Sequence, residues 1–218
     1  MKKIVIIGNG ISAIKNENGN FINNCDVVVR INNFKINGYE KYVGTKFNFY
    51  ACQLKYFNYL KLSKKEKYDK WKKITSNDRK ILKQIHKNII NFDEEYDRVF
   101  SPPNIDVEKL DKLLCLWTEN KEDLCFGNIF FENKIYTINF IMNPSYSMGF
   151  KSILYCLNNY KNHTIYVTGF DNYMNSGWYW DDNNLTNNII RTDKDGHPYL
   201  EEKILMLKFK NKKQIIEI

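Results

Sequence analysis

Much of what the sequence tells comes from what it lacks. No run of 18 apolar residues occurs in its 218 residues, so no stretch has the composition of a membrane-spanning helix. Four prolines and ten glycines are too few for a collagen-like or low-complexity chain. Cys25, Cys52, Cys115, Cys125 and Cys156 are odd in number and widely scattered, with no CxxC pair. That excludes the usual zinc-site spacings and gives no disulfide framework. The expectation is reduced, mostly buried thiols in a cytosolic protein. Met1-Lys2-Lys3 leads directly into a strand-like run, so neither a signal peptide nor an anchor is expected. Nucleic-acid-binding motifs are missing, and only three histidines are available for proton transfer near neutral pH.

What is present describes a globular chain. Aromatics make up 15% and charged residues 27%, and the length suits a single domain over residues 1–218 with a sizeable core. The net charge of +8 is local: residues 61–87 hold eleven Lys/Arg against Glu66, Asp69 and Asp78, equal to the whole-chain excess. Lys61–Lys87 reads either as a solvated helical face or as a surface for peripheral contact with an anionic membrane.

Ile4-Val5-Ile6-Ile7 breaks into Gly8-Asn9-Gly10, as a buried parallel strand does at a ligand-binding edge. Gly8 and Gly10 would let backbone approach a phosphate or sugar, and Asn9 offers both a donor and an acceptor. The bland alternative is a tight turn. A second run, Asp26–Val29, leads into Arg30-Ile31-Asn32-Asn33-Phe34. Two such strand ends suggest a crevice at the carboxyl edge of an open α/β sheet. Strands are expected at 3–7, 26–30, 46–50, 98–100, 134–141 and 164–168, with a last one at 214–218. Helical spacing fills 63–90, broken near Ser76-Asn77-Asp78; Asp106 would cap a helix to about Leu116; and 147–159 and 199–210 read as helices. The order β-α-β-α predicts an α/β fold with a mostly parallel sheet flanked by helices. Residues 172–196, polar but carrying Tyr173, Trp178, Tyr179 and Trp180, form a long loop suited to a lid.

His86 and His163 read as surface residues. His197 stands between the Asp193–Gly196 turn and Pro198, at a loop-to-helix junction, with Glu202 five residues on to orient it. Asp181-Asp182 is an adjacent pair, which does not place both carboxylates on one metal ion. A dinucleotide-binding dehydrogenase is disfavoured because the G-x-G lacks a third glycine and no acid follows the second strand.

The resemblance follows from four pieces. VIIGNG with Ser12, DVVVRINNF and INGYEKYVGTK resemble the large sialylmotif of the animal sialyltransferases. Asn143–Met148 with Tyr166–Phe170 is similar to the small motif, Trp178-Tyr179-Trp180-Asp181 to the third, and His197 with Glu202 to the very small, His-x4-Glu. Bacterial sialyltransferases of the Campylobacter kind are similar in their Arg-x-Asn (Arg30, Asn32), Gly-x-Asp-x-Tyr (Gly169, Asp171, Tyr173), second tyrosine (Tyr179) and Gly-His (Gly196-His197). The sequence departs from these patterns in three places. Tyr146 and Ser147 replace the Thr-Gly of the small motif, Ala51-Cys52 follows Tyr50 where an asparagine is expected, and Ile4 and Asn162 stand where the animal enzymes place a disulfide.

What the resemblance implies is a Rossmann-like, GT-A-variant fold. Its activity would be inverting, metal-independent transfer of sialic acid from CMP-sialic acid to a sugar hydroxyl, that of a galactoside on a surface glycan or glycolipid. Gly8, Asn9, Gly10, Ser12, Arg30, Asn32, Ser145, Ser147 and Gly169 would hold the donor. Tyr173 and Tyr179 would stabilise the leaving phosphate, each worth about 1.5–3 kcal/mol. His197 would be the general base, supported by Glu202 and Asp171. No cofactor or metal is implied, and the location would be cytoplasmic, at most peripheral on the inner membrane face. The alternatives are a transferase with another nucleotide-sugar donor and a non-catalytic nucleotide-binding module. The acceptor, linkage and oligomeric state stay open.

Overall fold

The computed structural model describes residues 1–52, 76–85, 87–88, 90–94, 112–118, 124–131, 134–141, 146–171, 177–181 and 197–218. Eight strands form one sheet: β1 Lys3–Ile7, β2 Val27–Ile31, β3 Phe49–Cys52, β4 Lys112–Thr118, β5 Leu124–Phe131, β6 Lys134–Ile141, β7 Thr164–Thr168 and β8 Ile216–Glu217. Their spatial order is β6-β5-β4-β3-β2-β1-β7-β8. From β4 through β8 every neighbouring pair is parallel, while β4–β5 and β5–β6 are antiparallel. The expected α/β fold with a mostly parallel sheet is therefore present.

The sequence of β1 explains its central place. Ile4, Val5, Ile6 and Ile7 are all buried, as a strand covered on both faces requires. Ile4 and Ile6 join one core with Phe150 and Ile153 of the helix Met148–Asn159. Val5 and Ile7 join the other with Ala13, Ile22, Tyr179 and Trp180. The chain runs from β1 outward to β4 on one side, and β7 and β8 lie on the other. The strand order reverses between β1 and β7, where open α/β sheets place a ligand crevice.

β1, β6 and β7 lie at their expected residues. β2 starts one residue late because Asp26 leaves the ladder to accept the Lys3 amide at 2.7 Å. β3 is displaced to Phe49–Cys52, since the Asn48 side chain takes the Val28 amide at 2.7 Å in place of a backbone partner. β8 shortens to two residues. A larger correction falls on the helix expected to reach Leu116. Lys112–Thr118 is a strand, paired in parallel with β3, and the tertiary partner decides what a short apolar run leaves ambiguous. β5 was not expected at all, because Gly127 and Asn128 interrupt its strand-like composition. Ser76–Ile85 is a helix beginning at the expected break. The remainder of 63–75, the proposed strand 98–100 and the residues around Asp106 lie outside the described residues.

Met148–Asn159 is capped by Ser147, whose Oγ accepts the Phe150 amide at 3.2 Å. The last helix, Tyr199–Asn211, buries Glu202 and Met206 and leads into β8. Cys25, Cys52 and Cys156 are buried thiols. Among the described residues no helix is long and apolar enough to cross a membrane.

The two glycines at the reversal point interlock. Gly8 donates to the Thr168 carbonyl at 2.8 Å. A Cβ on Gly8 would lie against the Gly169 carbonyl, 2.9 Å from its carbon, and one on Gly169 would lie 2.7 Å from the Gly8 carbonyl carbon. Gly169 also sits at φ +73°, which L side chains rarely adopt. Gly169→Ala is expected to cost about 1–3 kcal/mol of unfolding free energy or more, read as a lower urea midpoint.

Candidate functional site

The carboxyl ends of β1, β2 and β7 meet around Asn9. Its Nδ2 donates to the Ile31 carbonyl at 3.2 Å and to the Asn33 carbonyl at 2.5 Å, tying the end of β1 to the end of β2. Gly10 donates to the Gly169 carbonyl at 2.9 Å, which ties it to β7. Asn32 takes φ +47° while its amide stays on the Ala51 carbonyl at 2.9 Å. A non-glycine residue held in that region at a strand end marks backbone the surroundings must enforce.

Past Gly10 the chain turns into a single 3₁₀ turn, Ile11–Ile14. The Ser12 amide there points at the Asp171 carboxylate, 3.1 and 3.3 Å from its two oxygens. A Cβ on Gly10 would meet that carboxylate at 2.7 Å. Asp171 thus holds the Ser12 amide, and Gly10 is glycine because Asp171 and Gly169 crowd it. The Ser12 amide is occupied by the protein's own carboxylate, which leaves only its hydroxyl for another partner. Three buried polar atoms at this edge have no hydrogen-bond partner: Asn9 Oδ1, Ser12 Oγ and Thr168 Oγ1. Buried polar atoms are nearly always paired, so three orphans at one sheet edge fit a polar ligand. Thr168 was missed in the sequence because it reads as the last residue of an apolar strand.

The described part of the aromatic loop, residues 177–181, lies directly on this edge. Gly10 and Trp178 form an antiparallel bridge, and the Tyr179 amide donates to the Asn9 carbonyl at 3.0 Å. The placement suits a cover for Gly8–Gly10. It also corrects the expectation for Tyr179 itself. Its hydroxyl donates to the Lys35 carbonyl and accepts the Lys35 amide at 3.4 Å, while its ring packs edge-on against Tyr39. Burial pushes this phenol up to about 12, with nearby Arg30 opposing the rise. With its one proton committed to Lys35, Tyr179 anchors the loop and does not face a leaving phosphate. Tyr173, Ser145 and the remainder of 172–196 lie outside the described residues.

Arg30 needs a second correction. It is 0% exposed, with Nη2 donating to Val43, Gly44 and Lys46 carbonyls at 2.8, 2.9 and 3.0 Å. Those carbonyls end the short helix Glu40–Val43, where a cation is favoured. Burial pulls the guanidinium down to about 10. Arg30 caps and buttresses the polypeptide below the crevice through Nη2, while its buried Nη1 has no hydrogen-bond partner.

A second cluster forms around Glu202. Its Oε1 accepts the Ser147 amide at 2.5 Å and its Oε2 accepts the Ser147 hydroxyl at 2.8 Å. Ser147 is therefore spent on the helix cap and on Glu202, which corrects its assignment to the donor. Tyr146 beside it gives its hydroxyl to Glu201 at 2.5 Å, so both residues that depart from the small motif grip the first turn of the last helix. His197 sits half-buried immediately before that turn, its ring 5.7 Å from that of Tyr199. Burial raises the Glu202 carboxyl; the Ser147 bonds oppose this most, then the charges of His197 and of buried Lys151. Glu202 thus holds His197's helix to Ser147 and couples to the imidazole electrostatically. Phe170 joins the two clusters: its ring lies 3.4 Å from where a Gly8 Cβ would be and 2.8 Å from a Gly149 Cβ. Gly149 was also missed, although a glycine in the first turn of a helix signals such a close approach.

These features define an α/β protein with a polar crevice at the reversal point of its strand order and a histidine just before its last helix. Residues 1–89 match the model of glycosyltransferase family 29 (sialyltransferase). No curated protein matches the sequence. Among solved structures, the fold is similar to that of a mammalian sialyltransferase in complex with Gal-beta-1-3GalNAc-ortho-nitrophenol. That match has TM-score 0.51 and 14% identity, and covers 100% of this chain and 69% of that one. The family model thus matches the first part of the chain, and the solved structure shares its fold. Among the described residues no cluster of His, Cys, Asp or Glu could hold a metal ion.

Two expectations follow for the Glu202 cluster. The folded-state carboxyl titrates above its ordinary value, so the native state holds the proton more tightly between the ordinary and the raised value. Its contribution to stability is full below the ordinary value and falls as pH rises through the raised one. Urea denaturation across that window should show a decline in wild type that Glu202→Gln flattens. Ser147→Ala, which removes the cap and one bond to a buried carboxylate, should cost about 1–3 kcal/mol at neutral pH.

Proposed function

We propose that the protein transfers sialic acid from CMP-sialic acid to a sugar hydroxyl, with inversion and without a metal, using His197 as general base. The observation that carries this reading is the set of three partnerless buried polar atoms, Asn9 Oδ1, Ser12 Oγ and Thr168 Oγ1, at the reversal point of a sialyltransferase-like sheet. A nucleotide's hydroxyl, amino and phosphate groups would satisfy them. Asn32, held by its unusual backbone at the end of β2, would face the same donor.

The step balances simply. The His197 imidazole takes the proton of the acceptor hydroxyl, whose oxygen attacks the anomeric carbon. The bond from that carbon to the phosphate oxygen breaks, and cytidine monophosphate departs with the electron pair. Charge grows on the phosphate, so a donor aimed there would lower the barrier. With Tyr179 committed to Lys35, Tyr173 is the tyrosine assigned to that role. Residues 177–181, fixed over Asn9 and Gly10, would keep water from the donor. Glu202 and Ser147 set the position of His197 from behind.

Transfer would be assayed with CMP-sialic acid and a galactoside acceptor in the presence of EDTA. His197→Ala should lower kcat about 10²–10⁴-fold with the fold intact. Tyr173→Phe should lower kcat more than Tyr179→Phe does. Activity lost to EDTA, or retained by His197→Ala, would overturn the mechanism. Transfer from another nucleotide sugar alone would reassign the donor to the Tyr146-Ser147 departure.

A further inference from the structure

The last helix carries apolar side chains on both its faces. Its inner face is accounted for: Met206 is buried, and Leu205 and Phe209 pack against the core of Ile153 and Val167. Its outer face is not. Leu200, Ile204 and Leu207 are 67%, 44% and 50% exposed, and they recur at i, i+4 and i+7, which aligns them along one stripe. Exposed Asn211 continues the stripe by another turn. Lys203 stands on one side of it; on the other stand exposed Lys208 and exposed Glu201, whose carboxylate accepts the Tyr146 hydroxyl, and exposed Lys212 and Lys213 follow. Large apolar side chains pointing outward with lysines along both margins have the pattern of a helix lying in a membrane interface.

We propose that the outward face of Tyr199–Asn211, with Leu200, Ile204 and Leu207 inserted and Lys203 and Lys208 at the margins, docks on an anionic bilayer surface. Charge decides between this partner and a second copy of the chain. Two such faces brought together would oppose their lysine margins, whereas anionic headgroups neutralise them. The surface is distinct from Lys61–Lys87, and the inference does not depend on which sugar is transferred. It would set His197, one turn before Leu200, close to the plane of the headgroups.

Co-sedimentation with phosphatidylcholine vesicles, alone or mixed with phosphatidylglycerol, tests this without an activity assay. The wild-type protein should bind the mixed vesicles and not the neutral ones. Leu200→Ser with Leu207→Ser should weaken that binding about tenfold or more, with unchanged circular dichroism. Lys203→Glu with Lys208→Glu should weaken it as well. Asn211→Leu, which lengthens the stripe, should strengthen it, and this arm stands even if the serine variant folds poorly. The proposal is overturned if the wild-type protein binds neither vesicle, or if the serine variant binds as wild type does. Self-association in ultracentrifugation that Leu207→Ser abolishes, without lipid binding, would assign the face to a second copy instead.

Discussion

The structure depends on how closely two strand ends can approach. β1 and β7 run parallel at the point where the strand order reverses, and their carboxyl ends touch backbone to backbone through Gly8 and Gly169. Side chains at either position would push the strands apart. Three consequences follow from the contact. The Gly10 amide reaches the Gly169 carbonyl, Asp171 falls onto the Ser12 amide, and Phe170 is turned toward Gly149. The crevice is built outward from a glycine pair, which explains why glycine occurs there apart from any ligand.

Buried charge does a related job around this centre. Arg30, Lys151 and Glu202 are all buried, and burial of charge costs several kcal/mol unless hydrogen bonds replace the lost water. Arg30 gains its replacement from carbonyls at the end of Glu40–Val43, and Glu202 from both Ser147 donors. Each group therefore fixes the direction of a neighbouring segment. Arg30 fixes the chain under the crevice, and Glu202 fixes the helix that follows His197. Positioning of this kind is what a proton-transfer residue needs, since imidazole must meet an acceptor hydroxyl within hydrogen-bond reach.

The family resemblance acquires physical detail from these contacts. Where the small motif departs, Tyr146 and Ser147 have definite work: they bind Glu201 and Glu202. The departure thus exchanges one way of holding the site for another. In the same way Tyr179, conserved in spacing with the bacterial pattern, serves to pin the aromatic segment over Asn9 through Lys35. The exposed stripe on the outer side of the last helix begins one turn after His197.

By itself the sequence determined the elements whose cause is local. Ile4–Ile7 is a β-branched run buried on both sides, 147–159 has the spacing of a helix, and G-N-G marks where a strand ends. It also brought Gly8, Asn9, Gly169, His197 and Glu202 into one proposed site, through motif order and spacing. Tertiary structure alone decided the partners. Lys112–Thr118 became a strand because β3 offered it a parallel edge, a choice that composition leaves open. Arg30, Ser147 and Tyr179 looked like ligand contacts because each has the right donors, but hydrogen bonds are assigned by geometry, and theirs go to carbonyls or to Glu202. Thr168 and Gly149 were invisible for the converse reason: their importance comes from what lies across from them, and sequence spacing does not encode that.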